Sequence, residues 1–431
     1  MRSDERPAAA RQGALGAIQQ TFAPLRNRNL RVYLSGQAIS LIGTWMQMTA
    51  QSWVVWRLSH SEAALGLVGM VGTLPLLLLG PVAGVWADRL DRRKILLFTQ
   101  TTALLLACVL AVLVQTNVVQ LWHVYVLAAT LGCVSALDMP SQQAFIGDLA
   151  GMELVRQAVV VNGMIVQVSR ILGPTLAGLV VKYVGEALAF WFNGLSFLAV
   201  IISLFMVRAY QSHREASRQG GGDFWEGVRY AWHNARILDL MILTSLITFF
   251  GFSNMQIMPA FADRVLHGDA GLYGVLIGAS GVGALLSVLF VVPPAQRVRR
   301  TGLMLTIAVA CAGVAIVLFS FTRVSWLALV AYFFTGMPFP LVLTTNNGLL
   351  QFLAPPQMRA RLITLYLMLS FGLQPIANLW VGWVAEHVGT AATIRLNGLL
   401  MLAIALLMLL RQGLTTWEPA PVRRPVPSTG D

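Results

Sequence analysis

The chain has 431 residues, 57% of them hydrophobic and only 11% charged, with a formal net charge of +12. So little charge excludes a water-soluble fold of this length, and apolar runs of about 20 residues, each able to cross about 30 Å of hydrocarbon, recur throughout. The positive balance does not indicate nucleic acid, because most of the 30 Lys and Arg residues sit in the tails and in every second connection between those runs. This is orientation charge, which places both termini in the cytoplasm and the even-numbered connections beside anionic lipid.

Residues 1–31 carry Arg but no short apolar core, and read as a cytoplasmic tail instead of a cleavable signal. Span one (32–56) puts Gln37, Thr44, Gln47 and Gln51 on one helical stripe beside Trp45, Met48 and Trp53. Such a stripe suits a cavity for an amphipathic or aromatic solute, or hydrogen-bonded glue between helices. Span two (64–87) and span three (95–115) flank Gly84-Val-Trp-Ala-Asp88-Arg89-Leu-Asp91-Arg92-Arg93-Lys94, a compact charged loop at a membrane face. Span four (121–145) ends in Asp138-Met-Pro140-Ser-Gln142-Gln143, where Asp138 is the one acid well inside an apolar run. Span five (157–182) carries Arg170-Ile-Leu-Gly173-Pro174-Thr-Leu-Ala177-Gly178. Its proline kinks the helix, and its glycines let another helix approach closely. Arg170 lies about 13 residues, or ~20 Å, from the cytoplasmic end. At that depth it needs a partner or a wet cavity. Asp138 is the expected partner; Asn162, Gln167 and carbonyls freed by Pro174 are alternatives.

Span six (187–207) leads into a linker, 208–237. Its Gly220-Gly221-Gly222 run is flexible, and the segment after it sets Phe224, Val228, Ala231 and Trp232 on one face of a helix lying on the inner surface. Spans seven to twelve follow at 238–262, 271–293, 302–321, 324–350, 361–385 and 391–410. Asn254 and Gln256 in span seven, Asn346, Asn347 and Gln351 in span ten, and Gln374 and Asn378 in span eleven extend the list of polar cavity candidates. Pro338, Pro340 and Pro375 mark kinks. Residues 411–431 are a Pro-rich, disordered cytoplasmic tail. Cys108, Cys133 and Cys311 are isolated thiols within spans and suggest neither a disulfide framework nor a metal site. The chain lacks a nucleotide-phosphate loop and any paired-carboxylate or Ser-His-Asp set at a membrane face, so it does not read as an enzyme.

Internal repetition divides the spans into two bundles, 32–207 and 238–410. Phe192-Asn193-Gly194-Leu195 recurs as Leu396-Asn397-Gly398-Leu399, an offset of 204, and Gly178 to Gly185 recurs as Gly382 to Gly389 at the same offset. Arg92-Arg93 has a counterpart in Arg299-Arg300 at an offset of 207. Parallel halves with a binding site between them near the midplane are the arrangement this implies.

The loop motif resembles that between the second and third helices of major facilitator transporters, with Asp91 where the family usually has Gly. The span-five motif resembles the Gly-Pro-x-x-Gly-Gly signature of proton-driven exporters, with Ala177 for one Gly. Together with the end of span four, these motifs resemble the enterobactin-exporter-like, siderophore and drug efflux branch. The family's usual Arg in span four is missing: Tyr125 to Ala136 contains no charge. The resemblance implies an all-α membrane protein with twelve transmembrane helices in two pseudo-symmetric six-helix bundles. It implies a monomeric antiporter of the cytoplasmic membrane that exports a small amphipathic organic compound, in contact with lipid and with no nucleic acid. It needs no cofactor beyond a proton gradient. Gly84, Asp88, Arg89, Arg92 and Arg93 form a conformational latch on this reading, and Asp138 and Arg170 are the candidates for coupling transport to protons, with a purely structural Arg–Asp staple as the alternative. Gly173, Pro174 and Gly178 form the helix-kink motif. Uptake or lysolipid movement by the same fold, and a non-transport sensor or assembly role, remain open alternatives.

Overall fold

A computed structural model describes residues 21–208, 224–295, 298 and 300–410, without the side chains of 81, 82, 85, 87–89, 224 and 360. Most of the N-terminal tail, the glycine run of the linker, the C-terminal tail and the Asp88 and Arg89 side chains lie outside the described residues. The described chain is all-helical. A lipid-crossing backbone must satisfy its own hydrogen bonds, so each apolar run closes on itself as a helix.

The first-half spans are Arg28–Ser59, Glu62–Arg89, Arg92–Gln115, Leu121–Ala150, Val155–Tyr183 and Glu186–Met206. They run unbroken despite Pro140 in span four and Pro174 in span five. Among the described residues, eleven spans are long and apolar enough to cross a membrane on composition alone. Span one, more polar, completes the twelve as part of the first bundle, packed on spans five and six. Asp91 caps span three, its carboxylate accepting from the Arg93 amide at 3.0 Å. Its φ of −68° is ordinary for an L residue, so nothing at this turn demands glycine.

The second half is different. Span seven, Ala235–Val265, passes from α-helix into a π segment at Ile247–Gly251, a 3-10 segment at Phe252–Ile257 and a second π segment at Phe261–Val265. Span eight, Ala270–Ala295, widens to π at Ser287–Val291 before Pro293. Span ten breaks at Met337, ahead of Pro338, and span eleven between Phe371 and Gln374, ahead of Pro375. Each proline removes one amide and crowds the preceding turn. Side chains close part of the gap: Asn254 Nδ2 donates to the Phe250 carbonyl at 2.7 Å and Ser253 Oγ to Phe249 at 2.5 Å. Spans nine and twelve, Thr301–Ser320 and Thr390–Leu410, stay regular.

The repeat reappears as contacts. Asn193 of span six donates to Gln47 of span one at 2.7 Å, and Asn397 of span twelve donates to Asn254 of span seven at 2.8 Å. His60 and His267 both end their spans in left-handed turns, and Gly185 and Gly389 share positive φ at a second equivalent pair of turns.

The linker helix is Phe224–His233. Its Glu226 binds Arg361 at the start of span eleven at 2.5 Å, and Ala231 is buried. Trp232, expected on the same face, instead points away from the bundle with Trp225, each 71% exposed. Residues 225 and 232 are seven apart and so share a stripe that the bundle leaves uncovered.

Candidate transport site

Both described ends of the chain lie at one membrane face, here the terminal face; the opposite one is the far face. The halves meet toward the far face. Span five crosses span eight there, and span two crosses span eleven, each through glycine. A Cβ on Gly178 would stand 2.7 Å from the Ala270 carbonyl and 3.0 Å from the Gly274 Cα. A Cβ on Gly382 would stand 2.6 Å from both the Glu62 carbonyl and the Gly66 Cα. Gly178 and Gly382 are repeat equivalents, so the two crossings are one contact made twice. Polar pairs seal the rim. Arg264 binds Glu62 at 2.6 Å, and Thr390 donates to the same carboxylate oxygen at 2.7 Å. Trp56 donates to Asp263 at 2.9 Å, Ser61 to Glu386 at 2.8 Å, and Lys182 pairs with Asp269 at 3.1 Å.

Toward the terminal face this contact ends. Leu77 still reaches Gly372, 2.8 Å from where a Cβ would stand. Beyond it Gly80, Gly84, Gly163 and Gly348 have nothing within 4 Å of a Cβ. The halves part there, leaving a gap open on the terminal side.

Asp138 lies in the wall of the first half. Thr99 Oγ1 donates to its Oδ1 at 2.5 Å and Gln100 Nε2 at 3.0 Å, while Gln142 Nε2 donates to Oδ2. Gln142 in turn accepts from Gln37 at 2.8 Å. The carboxylate thus ends a chain of neutral donors drawn from spans one, three and four. Thr99 and Gln100 were not singled out from sequence, where the run Thr99-Gln100-Thr101-Thr102 covers every face of the helix and carries no periodic signal.

The expected Asp138–Arg170 pair is not formed. Arg170 faces the other half, at the closed end of the gap. Its Cζ lies 4.9 Å from the ring centroid of Phe252 in span seven and 5.8 Å from that of Trp45 in span one. It lines a small, partly open cavity with Asn254, Ser280, Tyr332, Thr335 and Phe339. Residues 163, 167 and 170 share one helical face, so Gly163 and Gln167 lead from the open gap up to the guanidinium. Asp138 is bonded within the first half while Arg170 lies against Phe252 of the second, and apolar runs do not report which way a helix is turned.

The span-five motif divides its work. A Cβ on Gly173 would meet the Ile42 carbonyl at 2.8 Å, so this glycine seats span five on span one within the first half. Gly178 seats it on the second half. The Pro174 carbonyl lies against Gly274 in the same crossing.

The polar cavity candidates scatter. Gln37 and Gln47 are 2% and 4% exposed and are taken by Gln142 and Asn193, so they are glue within the first bundle, not cavity lining. Gln51 is half-buried. Asn346 is buried too, donating to Leu240 and Thr244 between spans ten and seven. Gln256 crosses between halves to the Leu65 carbonyl at 2.6 Å, and Gln374 donates to Asn378 at 3.3 Å. Asn254 alone of this set lines the Arg170 cavity. In the charged loop, Arg92 pairs with Asp148 of span four at 2.5 Å and Arg93 donates to the Phe205 carbonyl at 3.4 Å. Gly84 is in open space.

The sequence matches the transmembrane secretion effector family over residues 19–424. Among similar proteins, the staphyloferrin A transporter of Staphylococcus aureus is 23% identical over 379 residues, covering 87% of this chain and 94% of the relative. The multidrug efflux pump Tap of Mycolicibacterium fortuitum is 26% identical over 381 residues, covering 85% and 90%. The crystal structure of the nucleoside transporter NupG superposes with a TM-score of 0.71 over 91% of this chain and 99% of its own, at 14% identity. A bacterial homolog of the human lysosomal transporter Spinster, inward-facing and unoccupied, gives 0.63 over 89% and 95%, at 16% identity. At such identities these structures speak for the fold alone. The chain is a multi-pass membrane transporter, not an enzyme, and belongs to the transmembrane secretion effector family within the major facilitator superfamily.

Proposed function

We propose that the protein exports an amphipathic organic compound of the siderophore or drug class across the cytoplasmic membrane, by alternating access coupled to proton antiport. The observation that carries this reading is the setting of Asp138. A carboxylate at membrane depth, held by Thr99, Gln100 and Gln142 and by no cation among the described residues, can gain or lose a proton without breaking an ion pair. The terminal face is the cytoplasmic one on this reading, in keeping with the placement of Lys and Arg. The gap then opens to the compartment from which an exporter loads. Outward opening would part the two glycine crossings and bring the terminal-face ends together, where Asp88, Arg89, Arg92 and Arg93 act as the latch. The names of the two relatives support a siderophore or drug as cargo.

The test is uptake into inverted vesicles under an imposed pH gradient, with a panel of siderophores and hydrophobic cations and proton movement read by fluorescence dequenching. Compound-dependent proton flux is the expected result. Asp138→Asn should abolish that flux; undiminished proton-driven movement in this variant removes Asp138 from the coupling role.

A further inference from the structure

Arg170 is the one strongly charged group in its cavity, and its surroundings are incomplete. Among the described residues its guanidinium makes no ion pair and no hydrogen bond; what touches it are the rings of Trp45 and Phe252. Ring faces attract a cation but accept none of its five N–H donors in their plane. The remaining polar lining is Asn254, Ser280, Tyr332 and Thr335, and it includes no carboxylate. Two of these have already committed an acceptor or a donor elsewhere: the Asn254 oxygen accepts from Asn397, and the Thr335 hydroxyl donates to the Tyr332 carbonyl. A cation kept at this depth without a counter-charge is costly. The cost is offset when a mobile anion takes the place of the missing acid.

The cavity leaves about 20 Å³ to the centre of a water-sized group, which is room for a small headgroup such as a carboxylate and not for a whole drug molecule. The planar guanidinium fork matches a carboxylate through two parallel hydrogen bonds. One cation with no second beside it calls for a single negative charge. The cavity walls beyond the fork, Phe252, Met255, Ile277 and Phe339, are apolar. Resting on the export reading above, we infer that Arg170 is a headgroup subsite that selects cargo bearing a carboxylate on an apolar body. The carboxylate docks on the guanidinium between Trp45 and Phe252, and the body lies along the gap below. Because the two rings come from opposite halves, the docked headgroup touches both sides of the interface that moves.

The experiment is equilibrium binding to the purified full-length protein in lipid nanodiscs, with no gradient. The probes are dansylglycine and its methyl ester, and binding is read by energy transfer from tryptophan. The acid should bind at least about tenfold tighter than the ester, as expected when an interaction with a charged group is lost. Arg170→Gln should bring the ratio to near one by weakening the acid alone, and Arg170→Lys should keep part of it. Equal affinities in the wild type, binding of neither probe, or a ratio untouched in Arg170→Gln would overturn the subsite. If the Gln variant does not yield folded protein, the wild-type ratio and the Lys variant decide. Export fails separately: a preserved acid-to-ester ratio with no compound-dependent proton flux in inverted vesicles removes the transport direction or coupling and leaves the subsite standing.

Discussion

The two ends of the interface between the halves are built from the same residue type used in opposite ways. At the far face, Gly66, Gly178, Gly274 and Gly382 are places where backbones touch and a methyl group has nowhere to go. Toward the terminal face, Gly80, Gly84, Gly163 and Gly348 border empty space. Glycine content alone does not tell a gate from a gap. What separates them is whether two glycines oppose each other across the crossing.

The sharpest way to break this contrast is to make matched substitutions at both ends. Gly382→Val should wedge the closed end apart. Overpacking of this kind costs ~1–3 kcal/mol, enough to shift a two-state equilibrium by roughly 5- to 150-fold. The readout is the labelling rate of a cysteine introduced at Ser61, which should rise by a factor in that range. Gly163→Ala, at the open end, should instead stabilise its helix by about 0.5–1 kcal/mol. Its melting temperature in detergent should go up, and a fall would show that the gap closes around Gly163 in solution.

Next in size is Asp138→Ala, which leaves three donors without their acceptor. Each such bond between or within membrane helices is worth about 0.6–2 kcal/mol. A clear drop in melting temperature is expected, with Asp138→Asn losing less because it keeps one acceptor oxygen. Equal melting of all three proteins would mean that the donors find other partners.

The smallest effect belongs to the exposed rim. Partial burial pushes the Asp269 carboxyl up, but the Leu272 amide and the Lys182 ammonium outweigh it and hold the group below the usual carboxylate range. A depressed value means the pair's contribution is complete above the ordinary carboxylate range and fades only as pH falls through the lowered one. Acidification from neutral to mildly acid pH should therefore leave the rim pair intact. Asp269→Asn should change Ser61-cysteine labelling by a few-fold at most, as expected of a surface pair.

Much of the fold was legible because burial in lipid leaves a one-dimensional trace. Apolar runs gave twelve spans, and the Asn193 and Asn397 repeats pointed to two bundles whose equivalent contacts the structure displays. Boundaries drifted outward, as at span four, which continues to Ala150, since a helix does not stop where hydrocarbon stops. Prolines announced the breaks in spans ten and eleven. The irregular stretches of span seven flank Pro259, which was not singled out from sequence, and Asn254 and Ser253 sustain the 3-10 turn by bonds that composition does not reveal. The site was less legible for one physical reason. Asp138 and Arg170 were paired by depth, and Gln37 and Gln47 were grouped by a shared stripe, whereas function depends on which way each helix is turned within its bundle. The Asp138–Arg170 pairing and the Gln37 and Gln47 cavity assignment failed on that point together.

Span seven carries a consequence for how the molecule moves. Its first-half equivalent, span one, is a single uninterrupted helix of 32 residues, a stiff rod. Span seven changes hydrogen-bond register along its middle, so it can lengthen, twist or bend by trading one carbonyl partner for the next. The two bundles then differ in expected stiffness, with the first held by a regular span one and the second by an irregular span seven. Amide hydrogen exchange over 247–257 should outpace that over the matching stretch of span one, and equal exchange would mean that the two nearly two-fold related spans are equally stiff.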